Sequence, residues 1–558
     1  MTDGRKFFDV GARDVLRAVL VSTLMFTSIP AQAESASGAA QTLVRGMTEF
    51  DWQAEIKKSG DPADLVLDLA PGTYLFARLG KGPEDPTIDL ISSEGTFLRR
   101  LFEADDERRA FNLIVEGRGD RIRITASDTG TPSQALHIEK IVPPGAWRDG
   151  KATSDPLISP RLKALAAKLE TPQAIDSFWS EIEKSGTPML EEGRDGKALV
   201  TFLYRGAKHN VRIFGSPSAD HDFMYRLADS DVWYRSYELP ASTRLAYRLA
   251  ADIPEVPGTA YENRVAILAT AQADPLNRHP WPEEAVDPWR QKSLLELPEA
   301  PAQPYAVESL ENGPGGTVES FPFKSEALGN SRTVSLYRPV DFDPQDDEAI
   351  LLVMLDGTAY RTDVDGPGIL DRMQAAGVLP QVAAVFISNP DMRARSAELP
   401  GSADFARVVA EEIVPLAQEK LGTAAPAART VIAGSSFGGL AAVRLALAYP
   451  ETFGNALSLS GSFWWHPRGT PERDQEFTAR QVSSMDRQPV RLFLTAGLFE
   501  VSREGYGGIL TTNRHLRTVL EAKGYDVTLR EYAASHGYIY WRGALSDGLI
   551  GLFGNKGD

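Results

Sequence analysis

The sequence predicts an α/β protein: a C-terminal half built on a parallel sheet with helices on both faces, preceded by two β-sandwich domains. Three observations carry this. Strand-like and helix-like runs alternate from Phe321 onward, short alternating strands fill residues 49–142, and a second β-rich block spans residues 198–249. At 558 residues the chain exceeds what one hydrophobic core organises, so several domains are expected.

Taken in order, Arg5, Lys6, Arg13 and Arg17 precede the apolar run 18–30, and Ala31-Gln32-Ala33 follows. This pattern predicts a cleavable export signal over residues 1–33, since the run is short for a bilayer span. Strands are then predicted at 65–69, 73–77, 87–91, 111–115, 121–125 and 135–139, giving a jelly-roll-like sandwich over 40–142. A helical spacer at 156–169 and an amphipathic helix at 175–184 lead to strands at 198–204, 210–214, 232–237 and 244–249. These predict an immunoglobulin-like sandwich over 171–252. Residues 253–316 are proline-rich and read as an extended connector.

The C-terminal α/β half is predicted over 317–558. Its strands fall at 333–337, 349–355, 383–387, 430–433, 456–460, 490–495 and 526–531, with helices at 369–376, 403–420, 437–448 and 512–523.

Composition narrows the partners. With 59 Lys+Arg against 76 Asp+Glu the formal charge is −17, which opposes binding to nucleic acid or an anionic membrane surface. The chain has no cysteine, so neither a disulfide nor lipid attachment at an N-terminal cysteine is available. No metal-ligand spacing stands out, and Gly313-Pro-Gly-Gly316 lacks the lysine of a phosphate loop.

Thr430-Val-Ile-Ala-Gly-Ser-Ser-Phe-Gly-Gly-Leu440 places Ser436 in a Gly-x-Ser-x-Gly between a strand and a helix, the setting of a nucleophile elbow. A serine hydroxyl needs a base within hydrogen-bond reach and a group that orients the base. After Ser436 only His466, His515 and His536 are available, and His536 follows the last strand, where hydrolases of this topology carry the general base. The acid is expected after strand 490–495, where Glu500 stands; Glu504, Asp526 or no effective acid are alternatives. For the oxyanion, backbone donors are expected at Phe437 and Gly357.

Several segments together resemble the bacterial enterochelin (ferric enterobactin) esterases, an esterase-D-like branch of the α/β-hydrolases. They are Val353-Met-Leu-Asp-Gly357, Arg395-Ser-Ala-Glu-Leu399, Ala433-Gly-Ser-Ser-Phe-Gly-Gly-Leu440, Ser460-Gly-Ser-Phe-Trp-Trp465 and His536 through Trp541-Arg542. Phe178-Trp179, Asp231-Val-Trp233 and Asp274-Pro-Leu-Asn277 resemble that family's N-terminal domain, whereas residues 40–142 fall outside the resemblance. It implies hydrolysis of the trilactone backbone of a catecholate siderophore, with Ser436 as nucleophile and His536 as base. Glu500 matches a family loop less closely.

Iron would enter with the substrate, so no cofactor is expected, and the export signal places the work in the periplasm. A ferric tris-catecholate is anionic and aromatic, so cations and rings are expected at the site mouth. Arg393, Arg395, Trp464, Trp465, Arg468 and Arg542 occur beside the site loops. A feruloyl or acetyl esterase, an acyltransferase, or a non-catalytic siderophore-binding protein are the competing readings.

Overall fold

The computed structural model describes residues 41–554, apart from 45, 55–61, 81–85, 104–105, 107, 126–133, 146, 148–156, 216, 218–220, 307–314 and 503–506. The expected export signal lies outside the described residues. Among them, no helix is long and apolar enough to cross a membrane.

The C-terminal half is organised by an eight-stranded sheet. Its order is Thr317–Ser325, Asn330–Arg338, Val382–Ile387, Ile350–Leu355, Thr430–Ser435, Asn455–Leu459, Arg491–Gly497 and Asp526–Tyr532. From Val382–Ile387 onward every pairing is parallel, but the first two strands form an antiparallel edge, so the sheet is mixed rather than all parallel. The missed strand, Thr317–Ser325, is mostly exposed and carries Pro322, as an edge strand tolerates. Central strands such as Ile350–Leu355 and Val382–Ile387 are buried at every position because helices cover both faces. Two apolar cores result, one on each face.

The predicted helix over 403–420 is broken. Ala403–Val408 passes through a π turn at Val409–Ile413 before Val414–Leu421 resumes. Pro415 explains the wider turn, because it has no N–H to donate and its ring crowds the preceding carbonyl.

The first sandwich packs Gln41–Val44, Ala63–Asp68, Asp120–Thr125, Thr87–Ile91 and Phe97–Phe102 against Phe50–Ala54, Gln134–Val142, Tyr74–Leu79 and Ala110–Ile114. It is clamped to the next domain by polar contacts. Arg99 donates to the carbonyls of Ala269 and Leu268 at 2.9 and 3.2 Å, and Arg290 pairs with Asp106 at 2.6 Å. Burial pushes the Arg99 guanidinium down to about 10.

In the second sandwich, Ala198–Arg205 and Val232–Leu239 face a sheet built on Val211–Gly215 and Arg244–Ala251. The stretch read as connector contributes to it. Lys292–Glu296 pairs with Arg244–Ala251, and the two-residue strands Ala271–Gln272 and Pro280–Trp281 attach at the margin. The two-residue strands are too short to show a period of two, and Lys292–Glu296, whose burial does alternate, follows a proline-rich run and has its two leucines adjacent.

Candidate active site

The buried strand Thr430–Ser435 runs into Ser436, whose backbone sits at φ 59°, ψ −118°, and the helix Phe437–Ala448 starts at the next residue. Glycine makes this turn possible. A Cβ on Gly434 would lie 2.7 Å from the Gly438 backbone, and one on Gly438 would come within 3.0 Å of Asp356 Oδ2. Ser436 N donates to Leu459 O at 2.9 Å, fixing the elbow to the neighbouring strand. Ser436 Oγ lies 3.3 Å from Ser462 Oγ.

His536 occupies the loop between Asp526–Tyr532 and the final helix, Tyr538–Phe553. Its Nδ1 is 2.6 Å from Glu500 Oε1, and its ring stands edge-on to Trp541. The Glu500 side chain is 2% exposed, against 41% for His536. Glu500 Oε2 accepts from Gly497 N at 2.6 Å, so both carboxylate oxygens are committed. An ionised Glu500 only accepts, so Nδ1 carries the proton and Nε2 is left as an acceptor.

Of the other acids considered, Glu504 is outside the described residues. Asp526 opens the strand whose far end feeds the histidine loop, about 20 Å away at strand rise.

Phe437 and Gly357 each occupy the first position of a helix, where an amide has no intrahelical acceptor. Asp356, just before Gly357, is held in the left-handed region at φ 57°. Its carboxylate takes two bonds from Arg395 at 2.7 and 2.8 Å and one from Asn389 at 2.8 Å. This brace ties the Gly357 turn to the helix Met392–Glu398, and the Arg395 guanidinium also lies 5.9 Å from the Phe437 ring. Gly357 has a second reason to be glycine: a Cβ there would lie 2.6 Å from the backbone of Phe386 and Ile387. Gly357→Ala is therefore expected to cost about 1–3 kcal/mol and to reduce turnover more than tenfold, checked by denaturant unfolding and steady-state kinetics.

The expected mouth residues divide. Trp464 is 40% exposed with its ring 5.9 Å from Phe437, and Arg393 and Arg468 are exposed. Arg395 faces Asp356 instead of open solvent. Trp465 turns inward between Arg444 and Phe477, over the space left by Gly401. Arg542 is partly buried and donates to Gln303 Oε1 at 2.9 Å, and burial pushes it down to about 10. Asp356 and Ser462 escaped the residue-by-residue reading, although both lie in segments that carried the resemblance. Among the described residues no group of three or more His, Asp or Glu is placed to hold a metal ion.

Residues 325–552 match the family model described as a putative esterase, and residues 199–306 match the one described as enterochelin esterase, N-terminal. The iron(III) enterobactin esterase of Dickeya dadantii (strain 3937) is 30% identical over 426 residues, covering 69% of this chain and 94% of the relative. The protein of that name from Escherichia coli (strain K12) is 32% identical over 403 residues, covering 68% and 96%. The enterobactin esterase of Shigella flexneri, solved in the presence of enterobactin, shares 30% identity at a TM-score of 0.53, covering 68% of this chain and 97% of that one. Ferric enterobactin esterase from Salmonella typhimurium superposes at a TM-score of 0.56 with 29% identity, covering 68% and 98%. The first sandwich precedes both matched stretches. With its elbow serine, a histidine paired to a buried glutamate and matching architecture, the chain belongs to the iron(III) enterobactin esterase family and is a carboxylic ester hydrolase.

Proposed function

We propose that this protein is a serine hydrolase that opens the trilactone backbone of catecholate siderophores such as ferric enterobactin. Ser436 is the nucleophile, His536 the base and Glu500 its orienting acid. The observation that carries the assignment is the 2.6 Å contact between His536 Nδ1 and the buried Glu500, on the loops that follow the last two strands of the sheet.

Ser436 Oγ attacks a lactone carbonyl carbon while His536 Nε2 takes its proton. Negative charge gathers on the carbonyl oxygen, where the amides of Phe437 and Gly357 are the available donors. As the intermediate collapses, the bond from that carbon to the lactone's own alkoxy oxygen breaks, the acyl group stays on Ser436, and His536 gives the proton to the departing oxygen. Water, deprotonated by His536, then attacks the acyl carbon, the bond to Ser436 Oγ breaks, and His536 returns the proton to that oxygen. Opening the ring turns the closed scaffold that presents three catecholates together into a flexible chain, which lowers their effective concentration, so the iron chelate weakens.

Iron is cargo in this scheme, and no resident cofactor is required. Arg393 and Arg468, both exposed, and the open face of Trp464 suit an anionic aromatic ligand. The basic, then apolar, then small-residue pattern of residues 1–33 supports export to the periplasm. Cell fractionation should find the shortened chain there; full-length protein confined to the cytoplasm would overturn that part. Purified protein given ferric enterobactin should release linear dihydroxybenzoylserine products, separable by chromatography. An intact trilactone after prolonged incubation would refute the substrate.

A further inference from the structure

The loop that carries His536 is held from outside the hydrolase fold. Three residues before the histidine, Ala533 O accepts from Arg244 N at 3.0 Å, a backbone bond from the first residue of strand Arg244–Ala251 in the second sandwich. Three residues after it, Ile539 O accepts from Gln303 Nε2 at 2.9 Å, and the same amide's Oε1 accepts from Arg542 Nε. Gln303 lies just beyond the sandwich, and its fit is close: a Cβ on Gly543 would come 2.5 Å from Gln303 Nε2 and 2.6 Å from its Cγ.

The acid loop is seated in the same way. Phe499, the residue before Glu500, is partly buried against the apolar core of the second sandwich, the cluster that includes Leu239, Leu245 and Leu297. Its own N–H donates to Ala534 O at 3.2 Å and so joins the acid loop to the histidine loop. His536 itself is 41% exposed, with Trp541 edge-on to its ring, so the loops on either side share in fixing its place.

We infer that the second sandwich positions the catalytic pair: Phe499, packed against the sandwich core, and Gln303, bonded to Ile539, are positioning residues that set His536 and Glu500 against Ser436. The sandwich thus acts on the chemical step and not only on substrate capture. This rests on the serine-hydrolase reading, and its test is built so that the two fail separately.

The experiment compares wild type with Phe499→Ala, Phe499→Leu, Gln303→Ala and Gln303→Glu in the full chain. Each is read by kcat and KM on ferric enterobactin, by the rate at which a fluorophosphonate labels Ser436, and by the low-field proton resonance of the histidine–carboxylate hydrogen bond. A misplacement of about 1 Å costs on the order of 10²-fold. Phe499→Ala is expected to lose about that much in kcat and labelling rate, with KM within about twofold and the low-field resonance weakened. Phe499→Leu, which refills the seat, should recover most of the loss.

Gln303→Glu is the sharper arm. Glutamate keeps the bond to Arg542 and strengthens it, but cannot donate to Ile539 O, so it should lose about tenfold in kcat, like Gln303→Ala. If Gln303 served only to hold Arg542, Gln303→Glu would keep wild-type kcat, and the inference would fail. It would also fail if the variants raised KM alone, or if both residues could be cut to alanine with kcat and resonance unchanged. A wild type that neither cleaves ferric enterobactin nor labels with fluorophosphonate would instead refute the underlying reading. Equal melting temperatures separate positioning from loss of fold, and a Gln303→Ala variant that melts like wild type keeps the test valid if Phe499→Ala does not.

Discussion

Ser436→Ala is expected to lower kcat on ferric enterobactin by about 10⁶-fold, leaving a residue of catalysis from binding and the oxyanion donors. The protein should remain folded, because Ser436 Oγ has one weak partner, Ser462, and the elbow is held by backbone bonds. A second substitution separates function from stability. Ser436 sits at φ 59°, ψ −118°, a conformation that side chains rarely adopt and that costs of order 1–3 kcal/mol. Alanine keeps that strain and glycine removes it. Ser436→Gly should therefore be as inactive as the alanine variant yet unfold at higher denaturant concentration, by about 1 kcal/mol or more. Chemical unfolding of the three proteins checks this, and a glycine variant less stable than wild type would contradict it.

Asp356→Ala is expected to destabilise by about 3–5 kcal/mol and to abolish turnover. The carboxylate is 3% exposed and Arg395 is 14% exposed, so deletion strands a guanidinium that has left most of its water behind. Asn389 loses its acceptor as well, and the Gly357 turn loses its tie to the helix Met392–Glu398. Asp356→Asn should be milder, since asparagine tolerates the left-handed backbone and still accepts from Arg395. Urea unfolding should rank wild type above asparagine above alanine; an alanine variant as stable as wild type would show that the brace contributes nothing.

The site was legible where chemistry follows chain order. Ser436 announces itself because a Gly-x-Ser-x-Gly needs only its flanking strand and helix, and Glu500 and His536 each occupy a loop directly after a strand, a position that periodicity locates. Their mutual distance is a property of the sheet that no local pattern contains. Asp356 was hidden because Asp-Gly reads as a turn, and its bonds to Asn389 and Arg395 span 33 and 39 residues. Trp464 and Trp465 are neighbours with opposite fates, decided by the space at Gly401. Arg542 lies on a helix that is apolar on nearly every side, so sequence alone assigns it no face. The second sandwich was cut short at residue 252 for a related reason. Its remaining strands are brief, and they belong to the sheet only through long-range pairing, Ala271–Gln272 and Lys292–Glu296 with Arg244–Ala251 and Pro280–Trp281 with Lys292–Glu296.

The most direct test of the account is the covalent intermediate. Rapid acid quenching of the enzyme with enterobactin, followed by peptide mass analysis, should find the opened trilactone esterified to the peptide containing Ser436. The adduct should be absent from Ser436→Ala and its formation slowed in His536→Ala. Wild-type cleavage rates in Ser436→Ala, or an acyl group carried on any other residue, would contradict it.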